Sequence, residues 1–132
     1  MIGSLGDVAF VVSDRTIRTI DDYSRSGSAR IGQHERMGAK AISEFLGPSL
    51  ESIAFKIQLA RHWGVVPERE LETLRRYRDT GEALLLMLNN KVVGENKWMI
   101  ESLSESVDHF GMQGEILMVT VSVALIEYVE RM

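Results

Sequence analysis

Catalysis and metal binding need particular side chains at particular spacings, and this chain offers several sets to test. Three histidines, His34, His62 and His109, could ligate a metal or carry protons. They lie far apart in sequence with no i,i+4 pair, so no helix presents two of them to one ion. There is no cysteine, which removes thiolate zinc sites, iron–sulfur clusters, thiol nucleophiles and disulfide scaffolds together. Ser24, Ser26 and Ser28 lack the GxSxG elbow that exposes a nucleophilic serine. The glycines complete neither a phosphate loop nor a dinucleotide fingerprint. Asp21 and Asp22 point to opposite sides of any strand, a poor geometry for sharing a proton. Glu101 and Glu105 share a strand face but stand ~13 Å apart at about 3.3 Å per residue, so a solvated or interface face accounts for them. The expectation is a chain with no catalytic residue, no cofactor and no metal site.

Binding of polymers or membranes has little more support. The net charge is −4 over 132 residues, the wrong sign for a generally basic nucleic-acid binder. One stretch runs against that balance. Residues 14–40 hold six basic side chains (Arg15, Arg18, Arg25, Arg30, Arg36, Lys40) against four acids (Asp14, Asp21, Asp22, Glu35). Tyr23 is its one aromatic, a thin platform for stacking bases, so no specific nucleic-acid contact is expected. The alternative is a monomeric binding module that uses this Arg-rich arm, with nucleic acid as its ligand. Trp63 and Trp98 sit among apolar neighbours and read as packing residues. The longest apolar run, residues 83–88, falls well short of the ~18 needed to span a bilayer. The first residues lack the basic region of a signal peptide, so folding in a cytoplasm is expected.

The elements that must carry these residues are mostly strands. Residues 8–13 form a β-branched and aromatic run after Gly6-Asp7. Residues 51–59 alternate, with Ile53, Phe55, Ile57 and Leu59 on one face, so one face meets the core. Residues 84–88 suit a buried central strand. Residues 97–107 and 115–129 read as a long hairpin whose turn uses Gly111 and Gly114 for positive φ. In its second arm Leu117, Val119, Val121, Val123 and Leu125 form a core row. The opposite row, with Ile116, Met118, Ile126 and Tyr128, is too apolar for water, so either the helix or another subunit covers it. That helix starts at Pro67 with Glu68, Glu70 and Glu72, and buries Leu71, Leu74 and Tyr77. It ends with Arg75, Arg76 and Arg78 before Gly81, matching the helix dipole and a left-handed stop.

The segment 14–40 is too polar to fold alone and reads as an extended arm lying partly across a neighbour. Arg25 and Arg30 lead its candidate contacts, because their planar donors suit carboxylates and small residues flank them. Asp22 could accept in the same contact, and Arg18, Tyr23 and His34 complete the set. The whole of 1–132 is read as a single domain.

Several segments, in order, resemble the GpU-like phage tail protein family: MIGSLGDVAF, RTIDDYSRSGSAR, HERMGAK, EFLGP, GVVPEREL, GEALLL, WMIESLSE and IEYVERM. The lead-in Arg61-His62-Trp63 departs from the family pattern in bulk. That family serves the contractile tails of temperate phages and phage-tail bacteriocins. The resemblance implies an α+β, mostly β fold of two packed antiparallel sheets, similar to tail-tube subunits, with one flanking helix. It implies a non-enzymatic subunit in a six-membered ring of its own copies near the tube–baseplate junction. Its partners would be a LysM-like tail adaptor, the tail tube and the baseplate hub, in a virion tail or phage-tail-like particle.

Overall fold

A computed structural model describes residues 3–6, 8–10, 19–63, 65–88 and 91–129. In chain order the elements are β1 (Gly3–Leu5), β2 (Val8–Phe10), β3 (Thr19–Ser26), β4 (Ala29–Arg36), β5 (Ala39–Pro48) and β6 (Ser52–Ala60). A 3-10 turn (Arg61–Trp63) leads to α1 (Pro67–Thr80), followed by β7 (Leu86–Leu88), β8 (Lys91–Val92), β9 (Lys97–Phe110) and β10 (Ile116–Tyr128). One antiparallel sheet runs β3-β6-β10-β9, a second runs β2-β1-β7-β8, and β4 pairs with β5 alone. The fold is α+β and mostly β, as expected.

Alternation along β6 and β10 creates the core. Ile53, Phe55, Ile57 and Leu59 lie opposite Leu125, Val123, Val121 and Val119, and all eight are buried. Leu5 and Leu86 of the second sheet close the core with Leu71, Leu74 and Tyr77 of α1. Three-residue spacing puts those helix positions on one stripe. Pro67 opens α1, and Gly81 ends it at φ 67, its N–H donating to the Tyr77 carbonyl at 3.1 Å. Leu84 exchanges backbone hydrogen bonds with Trp98 at 2.7 and 2.8 Å, which ties the second sheet to β9. Among the described residues, no helix is long and apolar enough to cross a membrane.

Residues 11–13 of the first expected strand lie outside the described residues. Three expectations change in detail. Leu117 is exposed and not in the core row, because the β9–β10 ladder shifts register on both sides of Met118 and leaves Leu117 unpaired. Gly114 has positive φ but Gly111 does not. The Gly111 N–H donates to the Glu115 carbonyl at 2.7 Å, and a Cβ there would run into the Glu115 carboxylate. That carboxylate ends a flexible side chain and can turn aside, so positive φ marks Gly114 as the glycine this turn requires. Finally, α1 packs on the core row, so it is not the cover of the opposite row, where Met118, Ile126 and Tyr128 remain half-buried, while the register shift turns Ile116 against the core.

The polar segment read over 14–40 divides. Thr19–Ser26 is an edge strand of the larger sheet, antiparallel to β6. Ala29–Arg36 leaves that sheet and turns back through Ala39–Pro48. Polarity alone ended the arm at Lys40, whereas the backbone carries it to Pro48 through a strand containing Ile42, Phe45 and Leu46.

Candidate functional site

The β4–β5 hairpin is the part of the molecule whose chemistry is left without an intramolecular purpose. Its two strands pair with each other and pack on little else. Register places Ile31 opposite Phe45 on one face, and His34 opposite Ile42 on the other. Leu46 joins the second face, its side chain 3.1 Å from where a Gly32 Cβ would stand. Ile31, Ile42, Phe45 and Leu46 are all exposed, Phe45 by 67%, and Met37 at the tip is fully exposed. Apolar side chains thus stand on both faces with no core against either. A two-stranded hairpin in water is marginal by itself, and apolar clusters of this kind mark contact surfaces.

Polar groups shape the hairpin from within. His34 Nε2 and Glu44 Oε2 meet at 2.5 Å across the strands. Arg30 Nη2 donates to the Leu46 carbonyl at 2.9 Å, and Arg36 Nε donates to the Lys40 carbonyl at 3.1 Å. Gly38 at φ 69 forms the tip, a left-handed position that glycine takes without strain.

The root is tightly fastened. Ser26 and Ser52 hydroxyls pair at 2.8 Å, as do those of Ser28 and Ser49. The Ser49 N–H donates to the Ser28 carbonyl, also at 2.8 Å. Arg25 Nε donates to Glu51 Oε2 at 3.0 Å, with its Nη2 on the same oxygen, and its guanidinium lies 6.0 Å from the Trp98 ring centre. The hydrogen bond to Glu51 raises the Arg25 pKa despite partial desolvation. Glu127 Oε1 accepts from the Glu51 N–H at 3.2 Å, and Asn96 Nδ2 donates to Glu127 Oε2 at 2.8 Å. Arg25, Ser49, Glu51, Asn96 and Glu127 line a cleft of about 370 Å³ that Leu50 and Val129 also border.

The five expected interface residues that the structure describes divide between two elements. Asp22, Tyr23 and Arg25 lie on β3, and Arg30 and His34 lie on the hairpin, while Arg18 lies outside the described residues. Asp22 sits at φ 54 in an irregular stretch of β3 and meets Lys56 Nζ at 3.4 Å. Tyr23 is exposed and Arg25 is committed to Glu51. Composition hides Ile42, Phe45 and Leu46, because they follow the polar stretch 14–40 and only strand pairing joins them to it. Their i, i+3, i+4 spacing lacks the period of two of a half-buried strand, so the available signal was only an apolar group ahead of the Gly47-Pro48 break.

Elsewhere the charged residues act as fasteners. Arg75 grips Glu105 with two hydrogen bonds of 2.9 and 2.6 Å, so Glu105 braces α1 against β9 and is not a solvated face. Arg61 pairs with Glu68, whose Oε1 also accepts from the Ile116 N–H at 2.9 Å. Partial burial alone would raise the Glu68 pKa, but these donors together hold it below the ordinary carboxylate value. Among the described residues, no group of three or more His, Asp or Glu could hold a metal.

A family model described as Phage P2 GpU matches residues 6–130. The chain belongs to the Phage P2 GpU family. This family is tail-related, so the exposed hairpin of this GpU-family chain is carried by a phage tail protein. No curated protein matches the chain.

Proposed function

We propose that this chain is a non-enzymatic structural subunit of a contractile phage tail or phage-tail-like particle, which it enters through the β4–β5 hairpin. It forms a ring of its own copies, six in number, near the tube–baseplate junction. A LysM-like tail adaptor, the tail tube and the baseplate hub are its neighbours there. Assembly takes place in the bacterial cytoplasm, and the finished subunit resides in the particle's tail. The observation that carries this reading is the hairpin, exposed and apolar on both faces, with Arg30, His34, Arg36 and Glu44 already partnered inside the chain. Arg25, Arg30 and Arg36 each have partners within the chain, which weakens the alternative of an Arg-rich arm offered to nucleic acid.

The test replaces residues 29–48 by a short glycine–serine turn in a host that produces particles. The altered subunit folds, yet it is absent from purified tails, and tails stop short or fail to form. Normal incorporation of the shortened subunit would overturn the reading.

A further inference from the structure

Pairing register puts two exposed apolar features at opposite ends of the larger sheet. Ser26 and Ile126 lie opposite Ser52, so the hairpin root is at the start of β6. Met118 lies opposite Ala60, so the β9–β10 turn is at the end of β6. The eight-residue step between Ser52 and Ala60 spans ~26 Å. At the far end Phe110 is 62% exposed, Met112 is fully exposed, and Leu117 and Val66 are also accessible. An open depression of about 740 Å³ lies there, bordered by Phe110, Gln113, Gly114 and Ile116, with the Arg61–Glu68 pair at its wall.

The two ends also differ in charge. The hairpin carries Arg30, Arg36 and Lys40 against Glu35 and Glu44, one positive charge in excess. The far end carries Glu68, Asp108 and Glu115 against Arg61, two negative charges in excess. Hairpin against hairpin would oppose like charges and leave the far end bare. Hairpin against far end covers both apolar surfaces and matches the signs.

We infer that the hairpin tip of one copy seats in the Phe110 depression of the next copy, making a head-to-tail contact. This rests on the reading of the chain as an assembled tail subunit. The Met37 thioether meets the Phe110 ring, a favourable sulfur–aromatic contact, while the Lys40 ammonium faces the Glu115 carboxylate. A hairpin two strands wide, with strands of eight and ten residues, offers ~300 Å² on one face, against about 800 Å² per partner in a standard stable interface. One such contact is therefore weak, and it persists where repetition in a closed assembly supplies high effective concentration. Two unlike surfaces also give a contact with direction, which closes into a ring or continues as a stack according to the rotation between copies.

The absence of cysteine makes a clean test. Met37→Cys and Gln113→Cys are placed in separate chains, produced together in a host that assembles particles, and the purified particles are oxidised with oxidised glutathione. The mixed M37C–Q113C disulfide should form roughly tenfold faster than either like pair, because docking raises the local thiol concentration. Adding Phe110→Asp to the Q113C chain should remove that advantage. Equal rates for all three pairs, a dominant M37C–M37C product, or no cross-linking would each overturn the inference. Failure here with exclusion of the hairpin-replaced subunit from tails leaves the assembly reading standing and sends the hairpin to a different protein. Normal incorporation of that shortened subunit removes the assembly reading itself.

Discussion

Single side chains set the conditions under which the fold holds. Glu68 joins the 3-10 turn, α1 and the β9–β10 turn through Arg61 and the Ile116 N–H. Its folded pKa lies below the ordinary 4.5, so its contribution is complete above the unfolded carboxylate range and fades as pH falls through the lower folded value. Melting Glu68→Gln beside the parent should show a deficit at neutral pH that closes in acid; a constant gap would contradict this. Arg25 has a second testable role. With Glu51 as partner and Trp98 beneath it, Arg25→Ala should cost about 1 kcal/mol in denaturant melts, while Arg30→Ala stays within about 0.5 kcal/mol. A wild-type melt for Arg25→Ala, with loss of incorporation, would return that arginine to the subunit interface. Sequence identified Arg25 as a residue with work to do but not its partner, because Glu51 is 26 positions away and only the β3–β6 pairing joins them.

Elements were more legible where one physical signal dominated. The acidic start, basic end and three-residue apolar spacing of α1 left little choice, and strict alternation did the same for β6. Leu74→Ala should accordingly cost roughly 2–4 kcal/mol as a core truncation. Arg75→Ala should cost no more than about 1 kcal/mol, since the Glu105 pair it breaks is partly exposed. The opposite order in chemical denaturation would mean that the buried face of the helix is misassigned. Short strands and irregular turns were less legible. β7 and β8 have three and two residues, too few for a period to show, and the shift around Met118 exposes Leu117 against its own alternation. The hairpin escaped because its two strands differ in character, one polar and one partly apolar, and pairing alone unites them.

At the scale of the whole molecule, one body contains the core and one projection contains none of it. Every residue of the buried cluster lies outside 29–48, so replacing that stretch by a short turn should leave the thermal midpoint within a few degrees of the parent, since ~1 kcal/mol shifts a domain of this size by about 2–8 °C. A large drop in calorimetry would place the hairpin in the cooperative unit. Sequence resemblance anticipated the two sheets and the helix; it could not anticipate the separation of the two apolar surfaces, which follows from strand direction and register. That separation has an evolutionary consequence. A projection that holds up no part of the core is free to change without unfolding its owner, so under the proposed docking the hairpin answers to its partner and not to the fold. Tail lineages could then exchange hairpins between bodies as a plug is exchanged between devices, altering which neighbours a subunit accepts while the sheets beneath it stay the same.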